Sequence, residues 1–411
     1  MRRLLVIVLV AAVLLRLAFS LGFVRGYLHQ APEDQPNDGY DAIAESLHAG
    51  LGYRTHPAHP PTVVRPPAYP LFLLGLFRIF GVNYVVVQIA QALLGAVAVY
   101  LAFLLGRYIR SEQTGLIAAA LVAAYPPAIQ YAANICTESL YFPLFLATAY
   151  LLCRAVAEGS ARLGWGAGLL WGAGLLTRGT LLALPVVLLP GLLLFRARLG
   201  RWVLTALLGA VIVLSPWVVR NWNLTGSFIP VSAWGWAPFY HGLQCSKRML
   251  TGEDLGRVDR EAYRRRHETV VERLYPNDRS QTYASAREYV RHEGVARDLV
   301  LEELRADPLG AVGRGLIGIP LTWFQVLRPQ KRVLSLLIHV PLLLLFVAGA
   351  VHLARREPEA FGRAAPALLM VVFVNLFQAF VFPYTRYMAP AVVLSFVFAA
   401  VPLGGLVRHR V

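Results

Sequence analysis

Long apolar runs alternate with short polar ones along most of this chain, and their spacing predicts membrane-spanning helices. Ten apolar stretches, residues 4–22, 84–106, 114–133, 139–156, 163–177, 180–196, 202–219, 333–353, 365–384 and 388–407, approach the roughly 20 helical residues that cross a ~30 Å hydrocarbon core. They are rich in Ala, Leu, Val and Gly and lack the strict alternation of barrel strands, so helices are the way to satisfy their backbones in lipid. Two further apolar stretches are ambiguous: residues 68–80 are few and include Arg78, while residues 309–327 are Gly-rich and include Arg314. Residues 40–52 place Ile43, Ala44 and Leu47 on one face, the pattern of a short helix lying on the membrane. The polar segment 243–308 is helical by pattern at 260–274 and 284–304, and is small for a core of its own. The expected fold is all-α and integral to the membrane: about ten transmembrane helices, amphipathic juxtamembrane helices in the first external loop, and a small helical external insertion. Residues 1–242 then form an N-terminal transmembrane region with the external loop 24–83, residues 243–308 a soluble insertion, and residues 309–411 a C-terminal transmembrane region.

A composition of 57% hydrophobic and 15% charged residues excludes a soluble globule of this size. The net charge of +16 would suggest nucleic acid in a soluble protein, but most arginines here lie in short loops between apolar runs and act first as orientation signals. If the N-terminus is cytoplasmic from Arg2 and Arg3, and residues 68–80 and 309–327 do not cross, then Arg107, Arg110, Arg154, Arg162, Arg196, Arg198, Arg201, Arg355, Arg356, Arg363, Arg408 and Arg410 all fall inside. That agreement favours ten spans with both termini cytoplasmic, in a multi-pass protein of the cell (inner) membrane. The run after Met-Arg-Arg reads as a retained first span, since no small-residue cleavage site precedes Arg25. Cys136, Cys153 and Cys245 have no metal-type spacing and are given no role. No Gly-rich nucleotide loop, His-rich metal motif or Ser/His/Asp pattern stands out.

Under this topology the outward face collects the loop 38–69, the turn 134–138, Arg178, residues 220–332 and the turn 383–387, and with them nearly every unusual polar residue. Asp38, just before the 40–52 helix, is either an N-cap or a base positioned to take the proton of an incoming hydroxyl. Glu138 follows Thr137 at a helix start, where an acid is favoured electrostatically, with Thr137 as its cap; its side of the membrane, shared with Asp38, makes it a catalytic candidate as well. Arg65, Arg178, Arg220 and Arg386 are each, taken singly, interfacial anchors; together on one face they are suited to bind a phosphate or pyrophosphate through forked, charge-assisted hydrogen bonds. Tyr40, Asp41, Tyr69, Asn221 and Tyr387 flank these charges and are assigned to substrate contact.

One carboxylate and several arginines suit transfer from a lipid-linked phosphate donor. The leaving phosphate is already ionised and requires cations, the acceptor hydroxyl requires a base, and a single displacement inverts the anomeric centre. Nucleotide sugars are cytoplasmic and so are excluded as donors on an outer face. A transporter or flippase for an anionic lipid-linked glycan is the main alternative; it calls for polar groups at mid-membrane or on both faces. A non-catalytic assembly subunit presenting the insertion is another, in which Asp38 and Arg386 tolerate neutral replacement.

Several short motifs occur in order: Asn-Asp-Gly-Tyr-Asp at 37–41, Arg-Pro-Pro-Ala-Tyr-Pro at 65–70, Tyr-Pro-Pro at 125–127, Thr-Glu-Ser-Leu-Tyr at 137–141, Leu-Thr-Arg-Gly-Thr at 176–180, Pro-Trp-Val-Val-Arg-Asn at 216–221, Pro-Val-Ser at 230–232 and Arg-Tyr-Met-Ala-Pro at 386–390. In this order they resemble the multi-spanning C-type glycosyltransferases related to protein O-mannosyltransferases and aminoarabinose transferases. The resemblance covers nearly the whole membrane part and leaves residues 243–307 uncovered. It implies a polyprenyl-phosphate sugar donor, an acceptor hydroxyl on a lipid, glycan or protein, transfer on the periplasmic or extracellular face, and a catalytic Asp in the first external loop, matched best by Asp38. Glu138 matches the second acidic motif and Arg65 the Arg-Pro-Pro motif, while 40–52 and 68–80 match surface helices of the first loop. The spacing from Asp38 to Tyr40 is shorter than the family's, so Asp41 stays open as the base and Asp34 is nearby. Some relatives hold a divalent metal and others do not; His48, His56 and His59 are near the loop, but no metal or other cofactor is expected.

Overall fold

A computed structural model describes residues 1–23, 39–195, 199–248, 255–275, 285–326, 332–381 and 384–408. Among these residues the chain is helical throughout, with no strand. In chain order come α1 (Arg2–Phe23), the short α2 (Tyr40–His48) and α3 (Ala68–Phe80), then α4 (Tyr84–Ile109), α5 (Glu112–Ala124), α6 (Pro126–Ala133), α7 (Glu138–Glu158) and α8 (Ala161–Leu175). A 3-10 turn (Gly179–Leu181) leads to α9 (Leu184–Leu194) and α10 (Arg201–Thr225). The polar segment folds as α11 (Trp236–Arg248), α12 (Leu255–Leu274) and α13 (Ala286–Ala306), followed by α14 (Pro308–Leu321), α15 (Arg332–Arg356), α16 (Pro358–Val381) and α17 (Thr385–Arg408).

All ten stretches expected to span are helical, but they differ in length. Seven helices, α1, α4, α7, α10, α15, α16 and α17, are long and apolar enough to cross a membrane. The 114–133 stretch, expected as one span, is instead α5 and α6 meeting at a 54° bend. Pro126 and Pro127 cause it, since neither supplies the amide that would continue α5. The other two, α8 and α9 with its 3-10 turn, are short, with 15 and 11 residues in their α-helices.

Contacts at the two ends of the bundle fix the direction of each segment. At one end Arg110 at the close of α4 bonds Glu357 before α16 and the Val401 carbonyl late in α17. There too Arg363 donates to the Ile109 carbonyl, Thr205 of α10 to the Ala161 carbonyl that opens α8, and the Phe195 and Phe361 rings meet at 5.4 Å. At the other end lie the starts of α4, α7, α15 and α17 and the ends of α8, α10, α14 and α16. Short as they are, α8 and α9 therefore run from end to end, and ten segments alternate in direction.

Small residues set a close helix contact between α8 and α10. Gly164, Gly168 and Gly172 line one face of α8 at four-residue spacing, and a Cβ on Gly168 would lie 2.2 Å from the Ala206 carbonyl oxygen of α10. Such stripes let backbones approach in a medium where apolar side chains gain little by leaving lipid.

The polar segment seats on the bundle end that carries the starts of α7 and α17. Cys245 of α11 with Val258 and Ala262 of α12 packs on Tyr384 and Tyr387, and Tyr289 of α13 packs on Val63, Ile229 and Ala233. Its helices are tied together by charge: Glu303 of α13 accepts from Gln244 and Lys247 of α11, and Arg273 of α12 forms a forked pair with Glu302 of α13. The Glu293 carboxylate of α13 accepts the amides of Gly235, Trp236 and Ala237, capping α11 from a neighbouring helix.

Candidate active site

Glu138 is the first residue of α7 and has no exposed surface. Its Oε1 accepts from Arg386 Nε and from Arg178 Nη1, both at 2.7 Å. Thr137 was expected to cap α7, but its hydroxyl makes no cap bond; it donates to Glu138 Oε2 at 3.2 Å and accepts from Arg178 Nη1 at 3.3 Å. The Arg178 guanidinium also lies over the Tyr387 ring, 5.5 Å from its centre. Burial pushes the Arg178 guanidinium down, but the Glu138 carboxylate more than offsets this and holds it above its ordinary value, so Arg178 stays charged. Two cations thus converge on one carboxylate oxygen, which sets the two guanidiniums side by side.

The turn before Glu138 is fixed from α4. Gln88 Nε2 donates to the Ala133 carbonyl, and Gln91 Nε2 to the carbonyls of Ala132 and Asn134, each at 3.0 Å. Gln91 accepts in turn from the Tyr69 hydroxyl at 2.6 Å. Tyr69 is fully buried and packs edge-on to Tyr40 at 5.7 Å, and the Arg65 guanidinium lies over the Tyr40 ring at 5.4 Å. Burial, reinforced by the charges of Glu138 and Asp41, keeps the Tyr69 phenol protonated. Asp41, in the first turn of α2, is thus within electrostatic reach of the same phenol as Glu138.

Arg220 has different company. Its Nη2 donates to the Thr62 carbonyl and its Nη1 to Asn221 Oδ1, and it stacks on Trp217 at 4.5 Å and on Tyr53 at 4.8 Å. Asn221 is fully buried and donates to the Ile229 carbonyl; Trp217 donates to the Val231 carbonyl. The Tyr53 hydroxyl bonds the carbonyls of Arg65 and Pro66, and Ala68 N–H donates to the Leu176 carbonyl, two residues before Arg178. These contacts make Arg220 and Asn221 the staple that holds the Arg-Pro-Pro turn to the bundle, with Arg65 between that staple and Tyr40.

Asp38 and Asp34 lie outside the described residues. The helix that Asp38 was expected to cap starts at Tyr40, and its cap position is Gly39, in a left-handed conformation at φ 74° with no side-chain cap bond. That helix closes at His48, short of the expected 52, because the chain turns on Gly50 and Gly52, whose φ values are 76° and 91°. His56 and His59 pack on each other at 5.1 Å, and among the described residues no group of three or more His, Cys, Asp or Glu is placed to hold a metal ion. Pattern reading missed Gln88, Gln91 and Tyr53. Two amides on an apolar helix were the available signal, since polar groups there rarely lack a partner.

Residues 64–220 match the family model described as Dolichyl-phosphate-mannose-protein mannosyltransferase. Among solved structures, the chain overlays on the oligosaccharyltransferase of Archaeoglobus fulgidus tethered with an acceptor peptide containing the NVT sequon, with a TM-score of 0.59 at 15% identity, over 98% of this chain and 50% of that one. The fold is that of the C-type glycosyltransferases. A second C-type match is the oligosaccharyltransferase AglB of the same organism in complex with an inhibitory peptide and a dolichol-phosphate, with a TM-score of 0.55, 15% identity and coverage of 98% and 50%. ArnT from Cupriavidus metallidurans bound to undecaprenyl phosphate aligns over 97% of this chain and 78% of that one, at 16% identity and a TM-score of 0.42. No curated protein matches the sequence. The chain spans about half the length of the archaeal enzymes it overlays on.

Proposed function

We propose that this chain is a membrane glycosyltransferase that moves a sugar from a polyprenyl-phosphate donor to an acceptor hydroxyl on the outer face of the membrane, with inversion. The observation that carries this reading is the convergence of Arg178 and Arg386 on one oxygen of buried Glu138 at the end of a C-type bundle. Two guanidiniums held side by side in this way suit the forked, charge-assisted bonds of a phosphate.

In the reaction, the acceptor oxygen bonds to the anomeric carbon as the bond from that carbon to the phosphate oxygen breaks. The bonding pair leaves with the polyprenyl phosphate, and Arg178 and Arg386 stabilise its charge. The acceptor proton passes to a carboxylate of the first loop, Asp38, with Asp41 as the alternative. Glu138 holds the two guanidiniums in register and is a poor proton acceptor, since neutralising it would remove the carboxylate that pairs the largely buried Arg178 and the partly exposed Arg386. Arg65 flanks the donor from the first loop, and Arg220 and Asn221 hold that loop in place. Tyr40 and Tyr387 then form aromatic walls of the site.

The test uses the full chain in liposomes with a radiolabelled polyprenyl-phosphate sugar and total membrane acceptors. Asp38→Asn abolishes label transfer without lowering abundance in the membrane, while Asp41→Asn retains it; the reverse result moves the base to Asp41. Full transfer by both variants overturns the carboxylate mechanism. Donor crossing the bilayer with its sugar–phosphate bond intact would favour the flippase reading.

A further inference from the structure

We infer that Arg16, in the middle of α1, is a positioning residue that sets the bend between α5 and α6 and thereby the turn that presents Glu138. Ala12, Arg16 and Ser20 form the buried stripe of a helix whose other faces are largely exposed, and Arg16 itself is 1% exposed. A guanidinium at this depth needs acceptors, because hydrocarbon offers none. Its Nη1 donates to the Ala12 carbonyl of its own helix at 3.0 Å and to Ala123 at 3.4 Å, and its Nη2 donates to Val122 at 3.4 Å.

Those last two carbonyls are not arbitrary. In a continuous helix the Val122 carbonyl would accept from residue 126 and the Ala123 carbonyl from residue 127. Both are prolines and have no amide to give. The Tyr125 amide makes a long 3.4 Å bond to Val122, and α6 restarts with Ile129 donating to Tyr125. The arginine of α1 thus donates to the two carbonyls whose i+4 amides the Pro-Pro pair removes. Gly95 of α4 leaves the room: a Cβ there would lie 2.4 Å from Arg16 Nε.

The consequence reaches the site through α6. Tyr131 on α6 accepts from the Ser139 hydroxyl at 2.8 Å, and the carbonyls at its close are held by Gln88 and Gln91. One end of α6 is set by Arg16, the other by α4, and Glu138 follows directly.

A double-mutant cycle on the full-length protein tests this. Pro126→Ala with Pro127→Ala returns an amide to each of these carbonyls, so the proline and arginine changes must couple. Arg16→Met in the wild-type background lowers the melting temperature in detergent, and in the Ala-Ala background the loss shrinks to about half or less. Arg16→Met also raises the KM for the polyprenyl-phosphate donor by roughly tenfold with little change in acceptor KM, and Arg16→Lys recovers part of it. If Arg16→Met fails to accumulate alone, accumulation restored by the Ala-Ala pair supports the proposal, and continued absence overturns it. An equal thermal loss in both backgrounds, or a wild-type melting temperature for Arg16→Met, also overturns it. The melting data do not depend on catalysis, so they stand apart from the glycosyltransferase reading, on which only the KM prediction rests.

Discussion

Each end of the bundle has an arginine–glutamate cluster joining distant helices, and the two are built differently. At the end bearing the starts of α5 and α16, Arg110 and Glu357 pair at 2.9 Å with 18% and 30% of their side chains exposed, and the spare donor of Arg110 is taken up by the Val401 carbonyl. Charge is balanced one for one and water reaches both partners. At the other end Glu138 is wholly buried and serves two arginines through a single oxygen. A fold that only had to join helices would choose the first arrangement, because burying ions costs more than pairing them returns. The second gathers two arginines on one wholly buried carboxylate, where pairing ions is costly, an arrangement that structural joints rarely need.

Replacing the acids puts the contrast to its hardest test. Glu138→Gln removes the buried carboxylate on which Arg178, 12% exposed, and Arg386, 35% exposed, converge, and is expected to cost about 3 kcal/mol in chemical unfolding and to abolish transfer. Glu357→Gln should stay within about 1 kcal/mol and leave transfer intact. Similar losses at both ends would erase the distinction. Gly168→Leu loads the α8–α10 seam that joins the two ends; the side chain would meet backbone at Ala206, and a loss of at least about 1–3 kcal/mol in the same measurement is expected. Val258→Ala sharpens the comparison from outside the membrane. It hollows the cluster under Tyr384 and Tyr387, and should cost about 1 kcal/mol in unfolding while raising donor KM, with no effect from a matching change near Glu357.

The smallest effect concerns pH. Burial, with His267 nearby, pushes the His292 imidazole on α13 down to about 4. The unfolded chain takes up its proton near pH 6.5 and the folded chain only near 4, so the stability present above 6.5 is lost progressively as pH falls through that window. Hydrogen exchange in α13 should rise between those values, and His292→Gln should flatten the response. The opposite end of the bundle should exchange no faster.

The ten apolar stretches were readable because lipid forces helices to announce themselves in composition. The bend at Tyr125 was not, although Tyr-Pro-Pro was in view: whether paired prolines end a span or kink it depends on who accepts and donates at the break, and that partner is Arg16, more than a hundred residues away. Glu138, Arg178 and Arg386 could be listed as one set from their shared side of the membrane. Their mutual bonds could not, because they join the start of α7, the close of α8 and the start of α17. Arg220 looked equivalent to them in sequence; only the folded chain shows that it sits with Thr62, Tyr53 and Trp217 and not at Glu138. The short reach of α2 was set by glycines at 50 and 52, a local cue that helical periodicity alone overrides.

The seat of the polar segment bears on how the molecule is made. Its three helices rest on the first loop at Val63 and on the turn at Tyr384, which the ribosome delivers early and late. The underside of the segment is therefore incomplete until α16 and α17 are in place, the step that also brings Arg386 to Glu138. The bridge at Glu138 thus waits on a helix made long after α7, and a protein truncated before α17 would keep most of its long apolar helices without ever joining Arg178 to Arg386.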